Sequence, residues 1–240
     1  MKPVLLLIPG MLCDERIWQA VSPLVGEDVD LRIADVSVGA TISALAEAAW
    51  DAISDVGPQR PVFLAGFSLG GYVAIEMVVH QKRPVAGVAL ISTSARPETA
   101  EGRQIREKTN AAMRTNFSKV IDGLVQWGMY QPPEPVATGF RAMCQEQGSE
   151  VGVRQNAAIA QRADHRAALG RLSLPVILLC GQQDKITPPE LTEEMMRLIP
   201  SAQYHLIEDA GHMLPLEQPE AVAGIVRPWL LDLLYFKETK

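Results

Sequence analysis

A serine lies between two glycines in the stretch Gly66-Phe67-Ser68-Leu69-Gly70. Ser68 directly follows the apolar run Val62–Phe67 and precedes a helix-like segment, which is the setting of a nucleophile at a strand-to-helix turn. The glycines remove side chains that would clash in such a turn and so present the Ser68 hydroxyl in a strained backbone. The pattern predicts acyl transfer through Ser68, with an ordinary helix-capping serine as the alternative.

A serine hydroxyl is a poor nucleophile and needs a neighbouring base. The sequence has four histidines, of which His212 follows the last predicted strand. The carboxyl edge of a parallel sheet is where such folds place their sites, so His212 is predicted to be the base. His205 falls inside a strand, His80 ends the helix that Ser68 starts, and His165 is expected to be solvated.

The base needs an acid that orients it, and Asp184 is predicted to fill this role because it also follows a strand. Asp184 would accept a hydrogen bond from Nδ1–H of His212, although it could instead cap the next helix. Glu208 and Asp209 are the competing acids, but they lie close to His212 in sequence. The chain order Ser68, Asp184, His212 is the order of α/β hydrolases.

Short apolar runs alternate with helical periodicity along most of the chain. Strands are predicted at Val4–Ile8, Val29–Val36, Val62–Phe67, Val85–Ile91, Val176–Cys180 and Gln203–Ile207. Helices are predicted at Asp14–Val25, Thr41–Val56, from the Ser68 turn to about His80, Pro188–Leu198 and Pro219–Phe236. This alternation predicts an α/β protein with a mostly parallel sheet and helices on both faces.

One region lacks strand signals. Residues 95–174 separate two predicted strands by far more than the ~2–6 residues usual in α/β units. Helical periodicity covers Glu101–Met113, Lys119–Tyr130, Phe140–Gln147 and Val151–Leu169. We therefore expect residues 1–94 and 175–240 to form the core and residues 95–174 to form an inserted helical lid.

Composition excludes several classes of protein. The chain has 240 residues, 48% of them hydrophobic and 21% charged, which is globular and not disordered. A net charge of −6 without a Lys/Arg cluster argues against a nucleic-acid partner. No zinc spacing, HExxH pattern or nucleotide-binding motif occurs, so no metal and no nucleotide is expected.

Location is predicted from the cysteines and the apolar runs. The three cysteines form no CxxC pair and no disulfide framework, so a reduced, cytoplasmic protein is expected. Val4–Ile8 is too short for a signal-peptide core. The longest apolar candidate, residues 229–236, is too short for a bilayer and contains Asp232, so no membrane partner is expected.

The chain resembles the α/β-hydrolase superfamily, in particular small lidded carboxylesterases and thioesterase-like enzymes. The resemblance lies in the serine stretch with Gly71 and in several further motifs. These further motifs are Leu7-Ile8-Pro9-Gly10 with Trp18, Gly181-Gln182-Gln183-Asp184 with Pro188, and Ala210-Gly211-His212. The resemblance covers essentially the whole chain. It implies cleavage of carboxylic esters through an acyl-enzyme, a small acyl substrate and no cofactor.

The resemblance also assigns an oxyanion hole to the backbone N–H groups of Met11 and Leu69. The family often has His-Gly where this chain has Pro9-Gly10, and this chain begins at the strand that the family usually numbers third. A sheet of about six strands, without the family's antiparallel edge strands, is therefore expected.

An apolar pocket is expected around the serine. Its candidate lining residues are Leu12, Phe67, Trp127, Met129 and Met213. Small to medium acyl groups would suit such a pocket. Cleavage of a thioester, an amide or a carbon–carbon bond by the same residues, or ligand binding without catalysis, are the alternatives.

Overall fold

Six parallel strands form the central sheet of the computed structural model, which describes residues 2–235. The strands are β1 (Val4–Ile8), β2 (Asp30–Ile33), β3 (Val62–Phe67), β4 (Gly87–Ile91), β5 (Val176–Gly181) and β6 (Ala202–Ile207). They lie side by side in the order β2-β1-β3-β4-β5-β6, and each neighbouring pair is parallel. The predicted fold class, an α/β hydrolase with about six strands, is confirmed.

Helices connect the strands on both faces of the sheet. They are α1 (Ser22–Val25), α2 (Ile42–Asp51), α3 (Leu69–Val79), α4 (Ala100–Thr115), α5 (Phe117–Gly128), α6 (Glu134–Gln147), α7 (Ser149–Ala160), α8 (Arg166–Leu169), α9 (Pro189–Leu198), α10 (Leu214–Glu217) and α11 (Pro219–Tyr235). A short 3-10 helix occupies Glu15–Trp18.

The core has two apolar layers because the strands are buried on both faces. In β1, Leu6 and Ile8 pack into the layer that contains α2 and α3. Leu5 and Leu7 point the other way, into the layer that contains α11. Continuous apolar runs such as Val4–Ile8 therefore correctly predicted strands that are buried on both faces.

Several predicted boundaries differ from the structure. Asp14–Val25 is not one helix but the 3-10 helix followed by α1, which has Pro23 in its first turn. The predicted Thr41–Val56 helix has its N-cap at Thr41, as expected, but ends at Asp51. The helix α10 was not predicted. The predicted end of the last helix, Phe236, lies outside the described residues.

Between β4 and β5 the chain forms only helices, from α4 to α8. The predicted Val151–Leu169 helix is two helices, α7 and α8, separated by a short break. The division of the chain into a core and a lid stays a prediction. No helix within residues 2–235 is both long enough and apolar enough to cross a membrane.

Candidate active site

Ser68 lies at a strained turn between β3 and α3. Its backbone has φ 52° and ψ −112°, in the region that non-glycine residues rarely adopt. A Cβ on Gly66 would overlap the carbonyl oxygen of Gly70, and a Cβ on Gly70 would overlap the carbonyl oxygen of Ile8. Because these neighbours are backbone atoms that cannot swing away, both positions require glycine, and the turn projects Ser68 beyond the sheet edge.

The three residues predicted from sequence meet at this edge. His212 Nε2 lies 2.9 Å from Ser68 Oγ, and His212 Nδ1 lies 2.9 Å from Asp184 Oδ2. His212 is 2% exposed and Asp184 is 3% exposed, so the contact between them is shielded from water. The geometry is that of a nucleophile, a base and an orienting acid.

The Asp184 carboxylate serves two purposes at once. Oδ1 accepts hydrogen bonds of 2.8 Å from the backbone N–H groups of Ile186 and Thr187, which fixes the turn before α9. Oδ2 faces His212 and also accepts a 2.8 Å hydrogen bond from the Thr187 hydroxyl. Asp184 thus orients His212 and fixes this turn, but it does not cap α9, whose N-cap is Pro188 without a side-chain hydrogen bond.

Burial of Asp184 opposes its ionisation. The neighbouring His212 and the hydrogen bonds from His212 and Thr187 outweigh burial, so the pKa of Asp184 is held below its usual range. The carboxylate is thus charged when it faces the imidazole. Sequence reasoning missed Thr187, whose only signal was its position three residues after an aspartate at the end of a strand.

The other candidates lie elsewhere. His205 Nε2 is buried without a hydrogen-bond partner among the described residues. His165 was expected to be solvated, but its Nε2 lies 2.7 Å from Glu76 Oε2 and its side chain is mostly buried. This correction arises because α3 contributes a buried acid that needs a partner. Glu208 and Asp209 are exposed.

A second carboxylate holds the loop that carries His212. Glu217 Oε2 accepts hydrogen bonds from the backbone N–H groups of Gly211, at 2.9 Å, and of Tyr130, at 2.7 Å. The Tyr130 N–H follows the end of α5, so Glu217 joins the inserted helices to the histidine loop. Burial raises the pKa of Glu217 despite these N–H donors. Sequence reasoning did not single out Glu217.

The two N–H groups assigned to the oxyanion hole are available. Among the described residues, no backbone carbonyl accepts a hydrogen bond from the N–H of Met11 or Leu69. The loop of Met11 is fixed by Gln155 of α7, whose Oε1 accepts from Leu12 N–H at 2.8 Å. The Gln155 amide also donates to the Val36 carbonyl at 2.8 Å, so this buried side chain spans two loops.

A cavity of about 560 Å³ opens beside Ser68 and His212. Three of the five predicted lining residues, Phe67, Trp127 and Met213, line it, and so does Met11, which was assigned to the oxyanion hole. It is the size of a pocket for a small organic ligand. Inserted helices contribute much of the remaining wall, through residues of α4, α5 and α7.

Leu12 and Met129 do not line this cavity, which corrects the sequence expectation. Both are buried in the apolar layer that contains α11. The backbone of Leu12 has φ 60° and is held by Gln155, which directs its side chain into the core. Met129 follows the end of α5, where the chain turns against the histidine loop.

Comparison with known proteins identifies the family. A model of the alpha/beta hydrolase family matches residues 5–225. The chain therefore belongs to this family, and its relatives mark it as an esterase-like member.

Two curated relatives and one solved structure illustrate the likeness. A biotin biosynthesis bifunctional protein of Cellvibrio japonicus is 27% identical, over 94% of this chain and 47% of that protein. A pimeloyl-[acyl-carrier protein] methyl ester esterase of Neisseria meningitidis serogroup A is 28% identical, over 78% of this chain and 62% of that protein. The chain thus spans about half to two thirds of the length of these relatives.

Among solved structures, a thermophilic esterase from Thermogutta terrifontis superposes with a TM-score of 0.86. It is 29% identical, and the match covers 96% of this chain and 90% of that one. The match spans the central sheet and the inserted helices together, since so little of this chain is left out.

Proposed function

We propose that this protein is a serine hydrolase that cleaves carboxylic esters of small to medium acyl groups through an acyl-enzyme on Ser68. The observation that carries the proposal is the continuous path from Ser68 Oγ to His212 Nε2 and from His212 Nδ1 to Asp184 Oδ2, 2.9 Å at each step. The named activities of the relatives, which include methyl ester hydrolysis, support the choice of an ester as substrate.

In the proposed reaction, Ser68 Oγ attacks the ester carbonyl while its proton passes to His212 Nε2. The developing oxyanion is stabilised by the N–H groups of Met11 and Leu69. The protonated imidazole, paired with the Asp184 carboxylate, then gives its proton to the departing alkoxide. An acyl group remains on Ser68 and the alcohol leaves.

Water enters in the second half of the reaction. His212 accepts a proton from this water as it attacks the acyl-enzyme, and returns the proton to Ser68 Oγ when the acid is released. Each half-reaction therefore uses the same base, nucleophile position and oxyanion donors. The cavity beside Ser68 would admit the water.

The wall of the cavity supports small to medium acyl groups. Apolar side chains such as Leu124 and Ile159 line it next to Met213 and Phe67. These residues would accept an acyl chain of several carbons, which a volume of about 560 Å³ accommodates.

A chain-length series of p-nitrophenyl acyl esters tests the proposal. We expect turnover that peaks at short or medium chains, and stoichiometric labelling of Ser68 by a fluorophosphonate. Labelling without turnover of any ester would favour thioester, amide or carbon–carbon bond cleavage by the same residues. Absence of both, with stabilisation by ligands, would favour a binding protein.

A cytoplasmic location stays a prediction from the cysteine pattern.

A further inference from the structure

Charged side chains line one part of the cavity beside Ser68. Among the described lining residues, Arg96, Arg106 and Arg162 are cationic and Glu98 is the one carboxylate. Most of the remaining wall is apolar or uncharged. A cluster of guanidinium groups inside the cavity of an ester hydrolase is not needed for the chemistry at Ser68, so another role must be considered.

Glu98 holds two of these arginines in place. Its Oε2 accepts hydrogen bonds from Arg106 Nε and, at 3.0 Å, from Arg162 Nη1. Burial opposes ionisation of Glu98, but the two arginines outweigh burial and keep its pKa below the usual range. Two guanidinium groups share one carboxylate, which leaves one positive charge in excess. Arg96 adds none, because it is paired with Glu194 at 2.8 Å.

Other contacts fix the orientation of the two guanidinium planes. Arg106 Nη1 donates to Asn156 Oδ1 at 2.6 Å, and Asn156 is itself buried. Arg162 donates to the Arg96 carbonyl at 2.8 Å, and its guanidinium carbon lies 4.7 Å from the centre of the Tyr72 ring. Because both side chains are already ordered, little additional side-chain conformational entropy would be lost when a ligand binds to them.

Each arginine keeps a donor free for a ligand. Nη2 of Arg106 and Nη2 of Arg162 have no acceptor among the described residues, and both residues line the cavity. Ordered guanidinium donors with one excess positive charge match a single carboxylate, which arginine binds in preference to a neutral group.

The arginines are also within reach of a substrate held at Ser68. Tyr72 lies one helical turn after Ser68 in α3, so its backbone is about 6 Å further along the helix axis. Arg162 lies over the Tyr72 ring. Because Ser68, Arg106 and Arg162 line the same cavity, a substrate of several carbons that is held at Ser68 can extend toward both guanidinium groups.

We propose that Arg106 and Arg162 form a carboxylate-binding subsite, so that the preferred substrate is an ester that carries a negative charge several carbons from the scissile carbonyl. This inference rests on the proposed ester hydrolysis and narrows it from esters in general to anionic esters. The carboxylate could belong to the acyl chain or to the alcohol, and the two sources are distinguished by experiment.

The first test compares matched substrates. Mono-p-nitrophenyl esters of adipic and suberic acid carry the carboxylate on the acyl chain, and p-nitrophenyl hexanoate and octanoate are their neutral counterparts. Butyrate esters of 3-carboxy-4-nitrophenol and of 4-nitrophenol place or omit the charge on the alcohol. We expect the native protein to have a higher kcat/KM for the anionic member of at least one of these pairs.

Variants then assign that preference to the subsite. Arg106→Gln should lower kcat/KM for the preferred anionic ester by about 10- to 100-fold, as expected for a lost charged hydrogen bond. The neutral ester should change by less than about threefold. Arg106→Lys keeps the charge without the planar guanidinium, so its kcat/KM for the anionic ester should lie between those of the native protein and Arg106→Gln. Arg103→Gln is the matched control, since Arg103 lies on the same helix but does not line the cavity.

Glu98→Gln should change the preference for the anionic ester in the direction opposite to that of Arg106→Gln. Removing the one carboxylate raises the excess positive charge, so the preference for the anionic ester should increase by about two- to fivefold. If the cluster only supported the fold, Glu98→Gln and Arg106→Gln would lower activity on both esters equally. Equal losses, or a native preference for every neutral ester, would overturn the subsite.

Binding to Ser68→Ala protein separates failure of the subsite from failure of the proposed function. Calorimetry with mono-p-nitrophenyl adipate and p-nitrophenyl hexanoate needs no turnover. We expect tighter binding of the anionic ester, and loss of the difference in Ser68→Ala/Arg106→Gln protein. No such difference, in a protein that hydrolyses hexanoate, would refute the subsite while leaving ester hydrolysis intact.

Discussion

The backbone N–H of His212 donates a hydrogen bond of 2.6 Å to the carbonyl oxygen of Gly128, the last residue of α5. The loop that carries the proposed base is therefore in direct backbone contact with the inserted helices. A Cβ on the neighbouring Gly211 would lie 2.7 Å from the same oxygen and 2.9 Å from the Tyr130 nitrogen. The helices between β4 and β5 thus contact the histidine loop as well as line the cavity.

Gly211→Ala should lower kcat by about 100-fold with little loss of folded protein, because a shift of about 1 Å in a catalytic group has an effect of this size. Steady-state kinetics with p-nitrophenyl butyrate and a thermal melt would measure both effects. Gly224→Ala is the control: Gly224 lies in α11 with open space around it, so alanine should be tolerated or stabilising. Unchanged kcat in Gly211→Ala would show that the contact does not position His212.

Ser68→Ala should abolish turnover, with a loss in kcat on the order of 10⁵–10⁶, because the nucleophile and its base act as a unit. The fold should persist, since alanine suits this turn about as well as serine. Ser92→Ala is a matched control: Ser92 also directly follows a strand and has a positive φ, and its buried hydroxyl has no partner among the described residues. A tenth of native activity in Ser68→Ala would refute the nucleophile.

Thr187→Val should lower kcat by about tenfold or more, because it removes a hydrogen bond to the ionised Asp184 while keeping the side-chain shape. Asp184→Asn should be more severe, about 10⁴-fold, since an amide favours the wrong tautomer of His212. Both variants are compared with native protein in kcat and in thermal stability. If Asp184→Asn were mild and a Glu208 or Asp209 variant severe, the acid would be reassigned.

The ionisation of Glu217 should make stability depend on pH. Its pKa is raised on folding, so its protonation contributes stability that is full below the unfolded-state pKa and is lost as pH rises through the folded-state pKa. Glu217→Gln removes this dependence. The free energy of unfolding of the variant, relative to native protein, should therefore increase with pH across that window, as measured by urea titrations.

Glu220→Gln is the control for net charge, because Glu220 is an exposed carboxylate close by in sequence. A Glu217→Gln difference that did not vary with pH, or that fell as pH rose, would contradict the buried-carboxylate interpretation.

The central sheet could be predicted because its strands are buried on both faces and carry unbroken apolar runs, as Val4–Ile8 does. The serine, aspartate and histidine were predicted because each lies in the turn or loop at the carboxyl end of a strand. The other contacts of the histidine loop were not predicted: the Gly128 carbonyl accepts a hydrogen bond from His212 N–H, and Glu217 accepts hydrogen bonds from the N–H groups of Gly211 and Tyr130. Such contacts leave no periodicity or spacing in the sequence.

The cavity wall was predicted least well. Phe67 and Met213 line it because they adjoin Ser68 and His212 in the chain. The arginine cluster lies on α4 and the segment after α7, whose orientation depends on helix packing. Met129 was predicted to line the cavity together with Trp127. It lies two residues further along the chain, and its side chain packs in the core while that of Trp127 lines the cavity.

Trp127 and Met129 should therefore respond differently to truncation. Trp127 is 61% exposed and lines the cavity, whereas Met129 is buried in the core. Trp127→Ala should change the kcat/KM ratio of medium to short p-nitrophenyl esters by a modest factor, because an apolar pocket discriminates one methylene by ~1–3 kcal/mol. Met129→Ala should leave that ratio unchanged but cost ~2–5 kcal/mol of folding free energy. Fluorophosphonate labelling of Ser68 should persist in both variants. The two residues lie on the same short segment, so each is the control for the other. An altered ratio in Met129→Ala with an unaltered one in Trp127→Ala would mean that the cavity wall at the end of α5 is assigned to the wrong side chain.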